Sequence, residues 1–208
     1  MMQHKVVILG GGTFNHISCH LSLAAPAFGQ TARKLHELFQ ANGLLESKLV
    51  LTKMADYNSK LITNSDVEQF ITQVARDMQV KAIVMNAAIC DFEADNPSDE
   101  ARLSSSRNYN ITLNGIQGKI LAGIRKARPD VILVGFKTTH GANVTEQLNK
   151  ASSSMLSNGL DIVLANDVNT RSNILLMPGL KLQSGPRDYL LEQLVNEVID
   201  IYRTHAWC

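Results

Sequence analysis

The sequence predicts a doubly wound α/β fold, in which a mainly parallel sheet of about six strands carries helices on both faces. Three observations lead to this prediction. Short, continuous apolar runs recur along the chain, longer amphipathic patterns separate them, and three glycines follow the first run directly. Since 208 residues can build one full core but are few for two, we expect a single domain over residues 1–208.

Six apolar runs are the predicted strands. Each run is continuous and rich in Val, Ile and Leu, as expected for parallel strands that are buried on both faces. In chain order, the runs are Lys5–Leu9, Lys48–Leu51, Lys81–Met85, Val131–Val134, Asp161–Leu164 and Asn173–Met177.

Amphipathic patterns predict five helices. The second of them is preceded by Asn64 and Ser65, which can cap its first turn together with Glu68. The predicted helices are Gln30–Phe39, Ser65–Met78, Gly118–Ala127, Val144–Leu156 and Asp188–Tyr202. Because strands and helices alternate, the order of the elements is typical of a Rossmann-like sheet.

Residues 90–117 interrupt this alternation. The stretch is polar, contains one weak strand pattern at Tyr109–Leu113 and is too long for an ordinary connection between a strand and a helix. Because it follows the third predicted strand, we expect residues 93–117 to form an active-site flap or a dimerisation arm.

Composition narrows the class of protein. Apolar residues make up 45% of the chain, charged residues 19%, and the net charge is +1, so charge favours neither nucleic acid nor a membrane as a partner. The first apolar run is too short for a signal sequence or a membrane span. Three cysteines, far apart in sequence, suggest neither a disulfide framework nor a zinc site, and we expect a cytoplasmic protein with reduced thiols.

Four predicted strand ends carry unusual side chains, and open α/β sheets bind ligands beyond such ends. Gly10–Thr13 can bring free amides close to a phosphate, although a tight turn explains the glycines as well. Asn86–Phe92 combines small residues with Asp91. Gly135–Thr139 offers an aromatic ring and a cation, although a ring packed in the core explains this segment as well. Ala165–Val168 offers an Asn-Asp pair, although a turn explains that pair as well. Four such ends on one sheet favour a binding site.

His16 and His20 are four residues apart, which would suit a metal if that segment were helical. No third ligand lies nearby in the sequence, so we give a metal pair a prior of about one in ten. We assign no metal-ligating residue.

The four strand ends, in this order, resemble those of the phosphopantothenate–cysteine ligase family. The matching segments are GGGT at Gly10–Thr13, NAAICDF at Asn86–Phe92, ILVGFKT at Ile132–Thr138 and DIVLANDV at Asp161–Val168. The resemblance covers most of the chain, and its VGFK and ANDV segments are more specific than its glycines.

The resemblance implies an activity and its co-substrates. In this family a nucleoside triphosphate, CTP or ATP, activates the carboxylate of 4′-phosphopantothenate with Mg²⁺, and the acyl nucleotide then reacts with the amine of cysteine in coenzyme A biosynthesis. The family is usually dimeric, so the resemblance also implies a homodimer with small-molecule substrates.

The resemblance implies site residues by position. Gly10, Gly11, Gly12 and Thr13 would face phosphate, and Asp91 would contact the base. The catalytic cations would be Lys137 and Arg102, the latter near the place of a family lysine. The other nucleotide- or substrate-binding positions would be Ala87, Ala88, Phe92, Gly135, Phe136, Asn166 and Asp167.

Several polar positions of the family are occupied differently in this chain. The residues at family Arg, Asn and Ser positions are Leu21, Ala25, Ala27 and Phe28. Ser154 and Asn158 stand at the places of two family lysines. The candidates to replace the lost contacts are His16, His20, Arg107 and Lys150.

These substitutions keep two alternatives to the ligase open. One is a catalytically degenerate or repurposed nucleotide-binding homologue. The other is an NAD(P)-dependent oxidoreductase, which the Rossmann-like pattern alone allows. It ranks last, because the chain lacks a spaced Gly-x-Gly-x-x-Gly, and Thr52-Lys53-Met54 stands where an acidic residue would follow the second strand.

Overall fold

A seven-stranded sheet forms the centre of the protein. The computed structural model describes residues 3–95, 97–98, 102–116 and 120–205. The strands are β1 (Lys5–Gly12), β2 (Phe14–Ser18), β3 (Leu21–Ala24), β4 (Glu46–Leu51), β5 (Val80–Ala88), β6 (Phe92–Ala94), β7 (Leu113–Gly115), β8 (Ile132–Thr139), β9 (Ile162–Asp167), β10 (Asn173–Met177) and β11 (Lys181–Ser184). The helices are α1 (Gln30–Asn42), α2 (Asn64–Arg76), α3 (Ile120–Ala127), α4 (Val144–Asn158) and α5 (Arg187–Thr204).

The strands of this sheet follow the order β11-β10-β9-β8-β5-β1-β4. Five neighbouring strands of this sheet are parallel to one another, namely β4, β1, β5, β8 and β9. This confirms the predicted doubly wound, mainly parallel sheet. The sixth predicted strand, β10, is present but runs antiparallel to β9. The seventh, β11, pairs antiparallel with β10 and is not predicted, because its sequence is largely polar and exposed at the sheet edge.

Two small antiparallel ribbons lie outside the main sheet. The β2–β3 ribbon is inserted between β1 and α1 and is not predicted by the pattern of apolar runs. The β6–β7 ribbon lies within the expected flap, where β7 covers Leu113–Gly115 instead of the predicted Tyr109–Leu113. The strand begins later because its pairing with β6 starts at Leu113, opposite Ala94.

Helices α1 and α5 cover one face of the sheet, and α2, α3 and α4 cover the other. Successive strand residues point to opposite faces. Val84 and Val134 therefore pack with α1 and α5, whereas Met85 and Leu133 pack with the other three helices. The same alternation continues to the strand ends and decides which site residues share a face.

Capping sets the start of α2. The Thr63 hydroxyl accepts a hydrogen bond from the Asp66 amide, and the Asp66 carboxylate accepts one from the Thr63 amide. The predicted cap at Asn64 or Ser65 with Glu68 is therefore wrong, because Thr63 and Asp66 form the capping box. The other helices agree with prediction to within a turn, apart from residues 118 and 119 of α3, which lie outside the described residues. Of the described helices, none is long and apolar enough to cross a membrane.

Candidate functional site

The four predicted strand ends meet at one edge of the sheet. The chain passes from β1 to β4 on one side and then crosses back to β5 on the other side of β1. The strand order therefore reverses between β1 and β5, which is where doubly wound sheets bind ligands. Since β8 and β9 run parallel to β5, their ends lie at the same edge.

The glycines at the end of β1 are buried in the strand. β1 continues through Gly12, so these glycines belong to the sheet and not to a turn. A methyl group at Gly10 would overlap the Cβ of Ala32, and one at Gly12 would overlap the carbonyl oxygen of Ala25. Gly11 has a φ of 99°, which favours glycine. The glycines thus allow the segment before α1 to pack on β1, and their contact with phosphate stays a prediction.

Thr13 has a structural role at the end of β1. Its side chain is fully buried, and its hydroxyl donates to Asn64 Oδ1 at 2.6 Å and accepts from the Cys90 amide at 2.9 Å. Asn64 Nδ2 donates in turn to the Cys90 carbonyl at 2.8 Å. This network joins β1 and α2 to the segment that carries Asp91. The expected phosphate-facing position of the Thr13 side chain is not met, because the hydroxyl has no exposed surface.

Asp91 lies exposed just beyond β5. Its carboxylate has no hydrogen bond or ion pair within the described chain. Its backbone carbonyl accepts from the Ile116 amide at 2.9 Å, which ties it to the β6–β7 ribbon. Ala87 and Ala88 beside it are half-buried, and Phe92 is 50% exposed. A free carboxylate next to small residues can accept hydrogen bonds from an amino group of a flat ligand.

The end of β8 presents different groups to the two faces of the sheet. Phe136 packs on the face of the sheet that α1 and α5 cover. It pairs with Leu164 of β9, so Asn166, two residues after Leu164, lies on the same face. Lys137 points to the opposite face and is half-buried, and its ammonium group has no partner in the part of the chain that the structure describes. Gly135 is buried, and a methyl group there would meet Leu160 Cδ1 at 2.6 Å. Packing therefore explains Gly135, and its ligand contact stays a prediction.

Asp167 holds the loops at this edge together. Its buried carboxylate accepts six hydrogen bonds of 2.8–3.1 Å, whose donors are Thr139, Gly141, Ala142, Asn169 and both the amide and the hydroxyl of Thr170. The bond from the Thr170 amide, with those from Ala142 and Thr139, holds the pKa of Asp167 well below its usual range, although burial alone would raise it. Asp167 is thus ionised and positions the loops that follow β8 and β9.

A cavity of about 560 Å³ opens beside the end of β9. Its lining includes Thr31 from the first turn of α1, Arg187 from the first turn of α5, and Arg171 from the loop after β9. Arg187 Nη2 donates to Thr31 Oγ1 at 2.9 Å. None of these three residues is among the predicted site residues, and the predicted last helix, which begins at Asp188, leaves out Arg187. Pro186, directly before Arg187, is a signal that could have placed that helix start.

The expected flap contacts the β2–β3 ribbon. Asn15 Nδ2 donates to the Phe92 carbonyl at 2.8 Å, and the Ser98 amide donates to the Ile17 carbonyl at 2.6 Å. Arg102 lies in the connection between β6 and β7 and is exposed. Its catalytic role stays a prediction, as does the function of the flap.

His16 and His20 do not share a helix face, so the argument for a metal pair fails. His16 lies on β2, with its Nδ1 at 2.8 Å from Ser22 Oγ, and His20 lies in the turn after β2. The described ranges contain no group of three or more His, Cys, Asp or Glu side chains that could hold a metal ion.

The comparison with known proteins decides the family. The model of the DNA/pantothenate metabolism flavoprotein C-terminal domain matches residues 1–177, a range that includes all four strand ends. The chain belongs to this family. The predicted resemblance is therefore confirmed at the level of the family.

Curated and structural relatives agree with this assignment. The chain is 28% identical over 171 residues to the coenzyme A biosynthesis bifunctional protein CoaBC of Methanocaldococcus jannaschii, and the match covers 79% of this chain and 41% of that protein. The chain thus spans about two fifths of the length of the curated relatives that it matches. The DNA/pantothenate metabolism flavoprotein of Streptococcus pneumoniae has the same fold, with a TM-score of 0.81, 19% identity, and coverage of 96% of this chain and 99% of that chain. A mutant of Cab2 in complex with phosphopantothenate-cysteine has a TM-score of 0.65 and 14% identity, over 96% of this chain and 86% of that chain.

The structure also locates the positions at which this chain has a different residue from the polar one that is typical of the family. α4 starts near the end of β8, and Ser154 and Asn158 lie in its last turns, just before β9 begins. Since the 15 residues of α4 span about 22 Å, these two residues lie at the opposite edge of the sheet. Their identity therefore removes no polar group from the strand ends. Ala25, by contrast, lies near the end of β1, where its amide donates to the Thr13 carbonyl at 3.1 Å. Leu21 lies at the turn end of the β2–β3 ribbon, opposite Ser18.

Proposed function

We propose that this domain is a phosphopantothenate–cysteine ligase, which uses a nucleoside triphosphate to join 4′-phosphopantothenate to cysteine in the coenzyme A pathway of the cytoplasm. The observation that carries the proposal is the family match over residues 1–177. The curated relatives are named for coenzyme A biosynthesis, which supports the same pathway for this chain.

The proposed reaction has two steps. The carboxylate of the acid attacks the α-phosphorus of the nucleotide and displaces pyrophosphate, which gives an acyl nucleotide. The amine of cysteine then attacks the acyl carbon, so that an amide forms, the amine loses a proton and the nucleoside monophosphate leaves. Such a site needs cations at the phosphates and hydrogen-bonding groups that fix the base.

The residues at the strand ends fit these needs. Asp91 offers a free carboxylate for the amino group that cytosine and adenine both carry, and Phe136 offers an apolar surface at the end of β8. Lys137 offers an ammonium group without a partner in the described chain. Arg102, from the flap, would supply a second cation.

Magnesium enters the proposal with the nucleotide. No described cluster of carboxylates or histidines could hold a metal by itself. Mg²⁺ in nucleotide enzymes is commonly held by substrate phosphates and waters with few protein ligands. We therefore assign no residue and no chemical step to the ion.

A homodimer is part of the proposal. Apolar side chains are exposed on the expected arm and on the neighbouring β2–β3 ribbon, where a second copy could cover them; they are Leu21, Phe92, Tyr109, Ile111 and Leu113. Sedimentation equilibrium of the protein and of an Ile111→Asp variant tests this part, and a monomeric wild-type protein would contradict it.

Pyrophosphate release tests the activity. The protein is incubated with 4′-phosphopantothenate, cysteine, Mg²⁺ and either CTP or ATP, and the condensation product is identified by mass spectrometry. We expect release that depends on the acid and on one nucleotide. Lys137→Gln should lower kcat/KM at least roughly tenfold, because a charge-assisted phosphate contact is lost, whereas Lys126→Gln on the exposed side of α3 should not. Absence of release with both nucleotides would contradict the proposal.

A second candidate function is nucleotide binding without turnover. Ala25 favours it, because it replaces a polar family residue close to the end of β1. Leu21 and Phe28, at other polar family positions, favour it as well. Nucleotide binding in calorimetry, together with no condensation under any of the conditions above, would select this alternative. The oxidoreductase alternative has no comparable support, since the Thr52 hydroxyl after β4 donates to the Gly12 carbonyl at 2.7 Å and no acidic residue stands there.

A further inference from the structure

The cavity between α1, α5 and the end of β9 has the chemistry of an anion site. Two arginines, Arg171 and Arg187, line it, and neither has a carboxylate within ion-pairing distance in the described residues. Arg171 is exposed, whereas Arg187 is half-buried. A half-buried arginine is usually paired, because an uncompensated charge at low dielectric is unfavourable. Asp167 also lines the cavity, but its carboxylate is occupied by six hydrogen bonds from the surrounding loops.

Arg187 is the best-defined cation of the cavity. It is the first residue of α5, and its guanidinium is directed toward the first turn of α1, where Nη2 donates to Thr31 Oγ1 at 2.9 Å. Burial lowers the pKa of Arg187, which the charge of Asp188 only partly opposes, so the group is desolvated and still charged. A planar guanidinium in this state has further N–H donors to offer to a phosphate.

The first turn of α1 adds donors to the same place. α1 has no side-chain cap, and its first internal backbone bond runs from the Arg33 amide to the Gly29 carbonyl at 3.0 Å. The amides of Gln30 and Thr31 therefore have no acceptor in the chain as described. Unpaired amides at a helix start bind anions, and here they accompany the two arginines of the cavity.

We propose that Arg187, Arg171 and the first turn of α1 form a subsite for a phosphate dianion, carried by a phosphorylated acid or by a nucleotide. The identity of the ligands rests on the proposed function. The evidence for an anion site is independent of that function, because it consists of the arginines and amides at the cavity. The start of α1 lies close to the end of β1, where Gly29 approaches Gly10 and Ala25 stands in place of a polar residue. The subsite therefore supplies cations near this end of β1.

Calorimetry with paired probes distinguishes the two sources of phosphate. The probes are 4′-phosphopantothenate against pantothenate and CTP or ATP against the matching nucleoside. Arg187→Gln should weaken the affinity for one phosphorylated probe roughly 10- to 100-fold and leave its unphosphorylated counterpart unchanged, because one charged hydrogen-bonding group is lost. Arg187→Lys should recover part of the loss, since it keeps the charge but not the planar fork. Arg203→Gln, on the exposed last turn of the same helix, is the matched control and should bind as the wild type does.

Inorganic pyrophosphate separates this inference from the proposed function. It should raise the melting temperature of the wild-type protein and of Arg203→Gln more than that of Arg187→Gln, whose fold is checked by circular dichroism without ligand. If this holds while no condensation occurs, the subsite stands and the ligase proposal fails. If condensation occurs but pyrophosphate and every phosphorylated probe bind Arg187→Gln as they bind the wild type, the subsite is overturned. Failure of all anions to bind the wild type overturns it as well.

Discussion

Replacing Thr13 by Val tests whether a buried hydroxyl holds the end of β1 in place. Valine has nearly the same shape as threonine, so the substitution removes the polar group and leaves the packing. In the native protein the hydroxyl donates to Asn64 Oδ1 at 2.6 Å and accepts from the Cys90 amide at 2.9 Å. Both bonds are lost in Thr13→Val.

The expected magnitude follows from the two partners that are left behind. Cys90 is buried, so its unpaired amide lowers the free energy of unfolding by about 1–3 kcal/mol. Asn64 is half-buried and can bind water instead, so the second bond contributes about 1 kcal/mol. The total of about 2–4 kcal/mol corresponds to a fall in Tm of roughly 4–16 °C for a chain of this length.

Urea unfolding followed by circular dichroism measures this change. Thr138→Val makes the same substitution at an exposed threonine and should alter the free energy of unfolding by less than about 0.5 kcal/mol. Thr13→Ser keeps the hydroxyl and loses one methyl group, so it should cost only about 1 kcal/mol. A Thr13→Val protein within about 0.5 kcal/mol of the wild type, or one more stable than Thr13→Ser, would refute the reasoning.

Three further predictions concern the same edge and the pH dependence of stability. Asp91→Ala should leave the free energy of unfolding within about 0.5 kcal/mol of the wild type but weaken nucleotide binding in calorimetry, and unchanged binding would exclude its contact with the base. Gly12→Ala should destabilise the fold by about 1–3 kcal/mol in urea unfolding, because its methyl group overlaps the Ala25 carbonyl, whereas Gly123→Ala on the exposed side of α3 should stabilise it by up to about 1 kcal/mol. Stability should fall as the pH drops below about 4, because carboxyls with lowered folded-state pKa lose their contribution on protonation. A urea midpoint that does not fall between pH 5 and pH 3 would contradict this, and the carboxyls concerned are Asp66, Asp77, Asp130 and Asp167.

The order of the central elements can be predicted because each buried parallel strand is a continuous apolar run. Lys81–Met85, for example, lies within β5, and the strand extends beyond the run at both ends. The direction of β10 is not visible in its composition, since it is as apolar as the parallel strands. It follows from connection length. Only residues 168–172 separate β9 from β10, and a parallel pair needs a crossover of a dozen residues or more.

Side-chain roles at the strand ends are less predictable, because a motif does not say whether a residue faces a ligand or the protein. Gly135 and Thr13 lie in matching segments, yet the first makes room for Leu160 and the second joins three segments of the chain. Asp91 and Lys137 lie in the same segments and keep free charged groups in the described chain. Burial distinguishes the two cases, and burial at a strand end depends on the loops that cover it.

The β2–β3 ribbon separates the glycines of β1 from the unpaired amides at the start of α1. In a simple doubly wound fold, the glycines that end the first strand lead straight into the first helix, so one motif marks both the close backbone approach and the helix start that binds phosphate. Here the ribbon is inserted between the two, and the glycines of β1 make room for the chain that returns from it. The unpaired amides lie instead at Gln30 and Thr31, next to an arginine contributed by the last helix. A substitution that alters phosphate affinity should therefore be sought at Arg187 before it is sought at Gly10–Thr13.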